Sequence, residues 1–354
     1  MRVTLVPNFQ VEYSVQLANG LCKFVELTLV VWDKLVPDLM GLLDPKVTVI
    51  KCGSPGSLLG PRVANETRIS RFLRTHPTDI LHFQNAYVWR LPALLLLGKM
   101  KCVLTIHDPI PHGGLPDPWS FPSIALHSRR AGALVTLGPR QRESLLERFS
   151  LDPDRVVVIP HGEFSFLDRL GSQPAIDNGL TTLFVGRIAR YKGLEYFLEA
   201  IPLIASRIPK ARFRIVGAGS LRPYQATLSR LPYVEVENNH VPPAQIGREI
   251  NRAAVVVAPY VQASQSGVVI AAQSLGRPVV ASNVGGLCDD IVPGETGVLV
   301  RPGDPVALAD AVVSLLESSE RRESMGRQAK EWMATARSWN KIARDTVALY
   351  EGIS

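Results

Sequence analysis

The chain has 354 residues, 46% hydrophobic and 20% charged, a balance that excludes a disordered protein and suits two domains of ordinary size. No segment reaches the roughly 18–20 uninterrupted apolar residues of a membrane span; LPALLLLGKMKCVLTI is broken by Gly98, Lys99 and Lys101. The net charge of +7 favours an anionic partner, but the cations are scattered without an aromatic–basic ladder, which argues against nucleic acid.

The opening MRVTLVPNFQ has too short an apolar run for a secretory signal, and Cys22, Cys52, Cys102 and Cys288 lack metal-type spacing. Reduced thiols and a cytoplasmic setting are therefore expected. Strands are predicted at 2–6, 27–32, 47–51, 80–83, 102–106, 134–136 and 156–159, with helices at 12–22, 64–74 and 140–149. DPD at 152–154 reads as a turn and helix cap, not as a metal site. His161 is read as shaping the connection that follows, where 162–179 is rich in Gly, Ser and Pro. The same alternation then restarts, with strands at 181–185, 212–216, 233–237, 254–258, 278–281 and 297–300.

Runs such as AAVVVAP suit strands buried on both faces of a parallel sheet. The expected fold is α/β: two tandem Rossmann-like, doubly wound domains facing a cleft. Residues 1–165 form the first, 166–325 the second, and 326–354 are helices packing back toward the first. In such sheets ligands bind beyond the carboxyl ends of the strands.

One stretch stands out, TTLFVGRIARYKGLEYFLEAI. A buried strand ends at Gly186, and Arg187, Arg190 and Lys192 follow before a helix starts at Gly193. Like charges repel, so folding alone gives no reason to gather them at a sheet edge; an anionic ligand does. The helix carries a core stripe of Leu194, Phe197, Leu198, Ile201 and Ile204, and Pro202 within it is expected to kink or split it. Downstream, in APYVQASQSGVV, Ser264 or Ser266 is a natural N-cap, leaving the N–H groups of Ser266, Gly267 and Val268 at a helix amino end. Val284–Gly286 is read as opening a second short helix in the same way, so that two helix ends and two cations make a diphosphate pocket.

FVGRIARYKG, IVGAGS, SQSGV, GRPVVASNVGGL and GETGVLVRPGD, with TIHD and VIPHG earlier, resemble in order and spacing the retaining GT-B glycosyltransferases of the large family four (glycosyl transferases group 1). The resemblance covers nearly the whole chain. It implies a nucleotide-sugar-dependent transferase that keeps the anomeric configuration, acts in polysaccharide or glycolipid biosynthesis, and uses no cofactor or metal beyond the donor as co-substrate. By position it implies Arg187 and Lys192 on the donor diphosphate and His107 on the donor sugar, these three being the catalytic set. Gly186, Gly217, His240, Val241, Ser266, Gly267 and Val268 complete the donor site, with His240 and Val241 near the base.

Family members commonly carry two glutamates eight residues apart; here Ala263 and Ala271 stand in their places, and Gln265 and Gln273 sit two positions late. The implied acceptor is a saccharide or a lipid-linked one. The loop 107–120 is a candidate acceptor lip, and the basic-flanked segment 88–101 is a candidate for peripheral contact with the anionic inner face of a membrane. Two alternatives stay open: a catalytically silent GT-B scaffold partnering another transferase, and a sugar-nucleotide epimerase on the same fold.

Overall fold

The computed structural model describes residues 1–7, 11–32, 40–52, 71–85, 101–109, 120–170 and 179–353. Most of the expected helix at 64–74, most of the 107–120 loop and nearly all of the 88–101 segment lie outside the described residues. All thirteen expected strands form, with ends within one residue of expectation. They are β1 (Arg2–Val6), β2 (Glu26–Trp32), β3 (Thr48–Cys52), β4 (Ile80–Gln84), β5 (Lys101–Ile106), β6 (Ala133–Thr136), β7 (Val156–Val158), β8 (Thr181–Val185), β9 (Arg212–Val216), β10 (Val234–Glu237), β11 (Val255–Ala258), β12 (Val279–Ser282) and β13 (Gly297–Val300).

The strands make two wholly parallel sheets, ordered β3-β2-β1-β4-β5-β6-β7 and β10-β9-β8-β11-β12-β13. Strand order reverses at β1/β4 in one sheet and at β8/β11 in the other, pairing Val3 with Ile80 and Leu183 with Val256. These are the switch points at which doubly wound sheets bind ligands. Every residue of β4 and of β8 is buried, as in strands covered on both faces of a parallel sheet, and β4 buries His82 and Gln84 with its apolar residues.

Contacts divide the chain into two units, 1–162 with 337–354, and 163–336. The expected ends at 165 and 325 therefore move. Residues 163–165 go with the second unit, and so do 326–336, because the helix Ser319–Ala336 is continuous and packs Met325 into that unit's core. Only the last helix, Trp339–Gly352, belongs with the first unit. There it lies on the helix Val11–Leu21, and Trp339, Ile342, Ala343 and Tyr350 join the same core as Tyr13, Leu17 and Leu21. Gly20 permits that approach, since a Cβ there would sit 2.8 Å from the Trp339 carbonyl oxygen.

In the second unit the helices used below are α1 (Leu194–Arg207) and α2 (Gly267–Ser274). Pro202 does not split α1, which runs unbroken from Leu194 to Arg207. Its ring is on the exposed side, and Leu194, Phe197, Leu198, Ile201 and Ile204 are all buried. Burying five large apolar side chains outweighs the ~3 kcal/mol that an interior proline costs a helix. Asp152 does cap: its carboxylate accepts the Asp154 N–H at 3.0 Å, as the turn reading of DPD expects.

Candidate active site

The turn after β8 is built by close backbone packing. Gly186 (φ 119°) donates its N–H to the Val216 carbonyl at 2.9 Å, and Ile188 donates to Ala218 at 2.8 Å. A Cβ on Gly217 would lie 1.9 Å from the Gly186 carbonyl oxygen, so the glycine of GAGS serves the approach of the two strand ends. A single 3-10 turn, Arg190–Lys192, then leads to Gly193 at φ 64°, where a Cβ would meet the Pro259 carbonyl oxygen at 1.9 Å. The Val261 N–H donates to the Tyr191 carbonyl at 2.9 Å, locking this turn to the segment that follows β11.

That locking sets Lys192. Its Nζ stands 3.8 Å from the centroid of the Tyr260 ring and 5.3 Å from that of Tyr191. Tyr260 is buried, and its hydroxyl hydrogen-bonds Ser266 Oγ at 3.0 Å. Ser266, not Ser264, is the N-cap of α2, and its Oγ accepts the Val269 N–H at 3.4 Å. One continuous chain of contacts thus runs from the ammonium through an aromatic ring to the helix amino end. The N–H groups of Gly267 and Val268, in the first turn, have no acceptor among the described residues. Gly186 lies against the same end, with its Cβ position 3.4 Å from a Val268 methyl.

Charge at this edge is unbalanced. Arg214 in β9 pairs with Glu235, Glu237 and Glu249. By contrast Arg187, exposed, and Lys192, half-buried, pair with no carboxylate among the described residues. Arg190 departs from them: it lines a cavity of about 570 Å³ with Glu195, Glu199 and Tyr224. His240 and Val241 lie in the loop beyond β10, His240 exposed and Val241 half-buried, and Asn238 ties this loop to the β9 edge by accepting the Gly219 N–H at 3.2 Å. The VGG segment opens a short helical turn, as the sequence reading expects. It forms a 3-10 turn, Gly285–Asp290, whose Gly286 N–H is taken by the Ala263 carbonyl at 3.2 Å.

In the first unit His107 follows β5 and is fully buried. Its Nε2 bonds Gln84 Oε1 at 2.8 Å, its backbone N–H donates to Asn85 Oδ1 at 3.3 Å, and its carbonyl accepts from Gln141 Nε2 at 3.2 Å. Asn85 is the one described non-glycine residue at positive φ, 74°, a conformation that needs surrounding structure to hold it. Burial pushes the His107 imidazole down to about 3, with His161 and His82 adding to the shift, so the ring is neutral. Its Nδ1 has no partner among the described residues. His161 is also buried, bonds the Gly162 carbonyl at 2.6 Å and packs edge-on against Tyr13 and Trp339, a structural role.

Residues 11–162 match the family described as Glycosyltransferase Family 4, and residues 179–318 match Glycosyl transferases group 1. The chain belongs to glycosyltransferase family 4. It is 31% identical over 246 residues to the D-inositol 3-phosphate glycosyltransferase of Corynebacterium diphtheriae, covering 62% of this chain and 57% of that protein. It is 25% identical over 292 residues to the glycogen synthase of Mycobacterium tuberculosis, covering 78% and 69%. This chain thus spans less than two thirds of the length of the inositol-phosphate relatives. In fold it matches sucrose-phosphate synthase of Thermosynechococcus elongatus, with a TM-score of 0.75, 19% identity and coverage of 99% and 98%. It also matches the Anabaena protein HepE in complex with UDP and glucose, with a TM-score of 0.73, 16% identity and 99% of each chain. The fold is that of GT-B glycosyltransferases.

Ala263 and Ala271 are both buried, and Gln273 gives its Nε2 to the Asp290 carbonyl at 2.6 Å. Sequence reasoning missed Tyr260, which seats Lys192, and Phe164, whose ring packs 3.5 Å from the Cβ position of Gly267. The run VVVAPY carries the only local hint of Tyr260, an aromatic at the end of a buried strand. Ser266→Ala is expected to cost about 1 kcal/mol and lower the melting temperature by about 3 °C. An unchanged thermal midpoint would show that this hydroxyl caps nothing.

Proposed function

We propose that this chain transfers a sugar from a nucleotide-sugar donor to a saccharide or lipid-linked acceptor, with retention of anomeric configuration, in polysaccharide or glycolipid biosynthesis. The observation that supports the reading is the uncompensated positive edge: Lys192 over Tyr260, Arg187 exposed in the same turn, and the amino end of α2 behind Ser266. As the glycosidic bond of the donor breaks, negative charge grows on the departing diphosphate. Cations and helix N–H groups fixed beforehand stabilise that charge without reorganising, which lowers the barrier. In this reading Arg187 and Lys192 grip the diphosphate, and Gly267 and Val268 donate backbone N–H groups to it. Gly186 and Gly217 form the floor, the backbone at His240 and Val241 meets the base, and His107 meets a hydroxyl of the sugar.

Donor chemistry of this kind asks for no cofactor and no metal, since the protein supplies the positive charge. The Corynebacterium diphtheriae relative is named a D-inositol 3-phosphate glycosyltransferase, and HepE was crystallised with UDP and glucose, so UDP and UDP-glucose are the first ligands to test. Peripheral contact with an anionic membrane through 88–101 belongs to the same proposal; no helix among the described residues is long and apolar enough to cross a membrane.

The test is a panel of nucleoside diphosphates in thermal unfolding, followed by turnover of the matching nucleotide sugars. One diphosphate is expected to raise the melting temperature, and its sugar conjugate to be consumed with release of that diphosphate when an acceptor is present. No shift with any of them, or an isomerised nucleotide sugar as product, would overturn the reading.

A further inference from the structure

A buried polar chain in the first unit ends on His107. β4 places His82 and Gln84 on one face, two residues apart, and both are buried. Gln84 Oε1 bonds His107 Nε2 at 2.8 Å, and Gln84 Nε2 reaches His82 Nε2 at 3.3 Å. Thr105 Oγ1 also meets His82 Nε2, at 2.7 Å, while His82 Nδ1 meets the Tyr350 hydroxyl at 2.6 Å. Tyr350 comes from the last helix and is itself buried.

Donor and acceptor roles along this chain are linked. An amide NH₂ can only donate, so His82 Nε2 accepts and His82 carries its proton on Nδ1, toward Tyr350. The amide oxygen can only accept, so the proton of neutral His107 sits on Nε2. That leaves His107 Nδ1 as a lone pair, buried and without a partner among the described residues. A buried acceptor left unpaired is destabilising, and a tautomer held in this way is a costly arrangement unless something donates to Nδ1.

We propose that Gln84 is the positioning residue of His107: its side-chain amide, anchored from behind by His82 and Tyr350, fixes the Nε2–H tautomer and so keeps Nδ1 as the acceptor for a sugar hydroxyl. The proposal rests on the transferase reading for the identity of that hydroxyl, but not for the tautomer. It makes Tyr350, more than 240 residues along the chain from His107, part of the same device.

The test uses the full chain labelled with ¹⁵N-histidine, in wild type, Gln84→Met and Tyr350→Phe. Long-range proton–nitrogen spectra of wild type are expected to show His107 as one Nε2–H tautomer across pH 5–8. Gln84→Met, which keeps the volume and removes the amide, is expected to give a tautomer mixture and to lower kcat/KM for transfer about tenfold, the scale at which groups orienting a functional histidine act. Tyr350→Phe should shift the same populations in the same direction, and it keeps the test alive if Gln84→Met folds poorly. In a His107→Ala background, Gln84→Met should produce no further loss. An unchanged tautomer in both variants, or an equal loss of activity with and without His107, would overturn the positioning role. A wild-type rate in His107→Ala alone would instead refute the role of His107 in transfer, while the spectra would still decide what Gln84 does.

Discussion

Lys192→Ala is expected to lower sugar transfer about 100-fold at saturating donor while leaving the fold intact. The magnitude is that of losing one preorganised donor at a developing oxyanion, ~3 kcal/mol. Lys192 earns this weight by being held in place. Its ammonium rests 3.8 Å from the Tyr260 ring centroid, the tyrosine is buried, and its hydroxyl is tied to the cap of α2. No carboxylate among the described residues competes for the charge. Removing the side chain leaves α1 and β8 with every core contact, so melting temperature should change little. Arg187→Ala should also slow transfer, but by less, because Arg187 is exposed and must be ordered by the ligand it binds. Initial rates with circular dichroism and thermal unfolding on the same samples check both. A wild-type rate in Lys192→Ala would remove the lysine from the chemistry.

Acidification should open the first unit before the second. Burial holds the His82 and His107 imidazoles down to about 3 and that of His161 to about 4, and all three lie in the first unit. An unfolded histidine titrates near 6.5. The folded chain therefore binds these protons more weakly than the unfolded chain, so the stabilisation is complete above pH 6.5 and is lost progressively as pH falls toward about 3. Between pH 6.5 and 5 the loss is of order 2 kcal/mol for each histidine, large against the 5–15 kcal/mol that ordinary domains possess. Glu12 works the other way, since desolvation holds its carboxyl above the usual range, but it is one group against three. The second unit shows no buried histidine among the described residues; His240 there is exposed. Hydrogen exchange read by peptide at pH 7 and pH 5 should show protection falling in β1, β4 and β5 while β8 and β11 stay protected. Equal loss in both units would contradict this account.

The strands were legible because apolar, mostly Val-, Ile- and Leu-rich runs between turn residues have few other fates, and the parallel order follows from their alternation with helices. The cationic turn was legible because three charges at a strand end conflict with folding alone. Its partner was not: Tyr260 is 68 positions beyond Lys192, and only the adjacency of β8 and β11 brings the two together. Gln84 was silent for the same reason, since a glutamine in a buried strand gains meaning only from the histidine beside it. No split occurs at Pro202, because burial of the apolar stripe of α1 overrides the local propensity. Gly285 and Gly286 also serve a close approach to the backbone at Ala263 and Ser264, where a Cβ would stand at 1.7 and 1.8 Å, a demand that only the folded neighbours reveal.

A crystal structure with UDP bound tests the central electrostatic claim most directly. The account predicts the diphosphate within about 3 Å of Lys192 Nζ and of the Gly267 and Val268 N–H groups, the span of a charge-assisted hydrogen bond. A diphosphate seated at any other edge of the second sheet, with Lys192 still resting on Tyr260 and touching no phosphate oxygen, would contradict it.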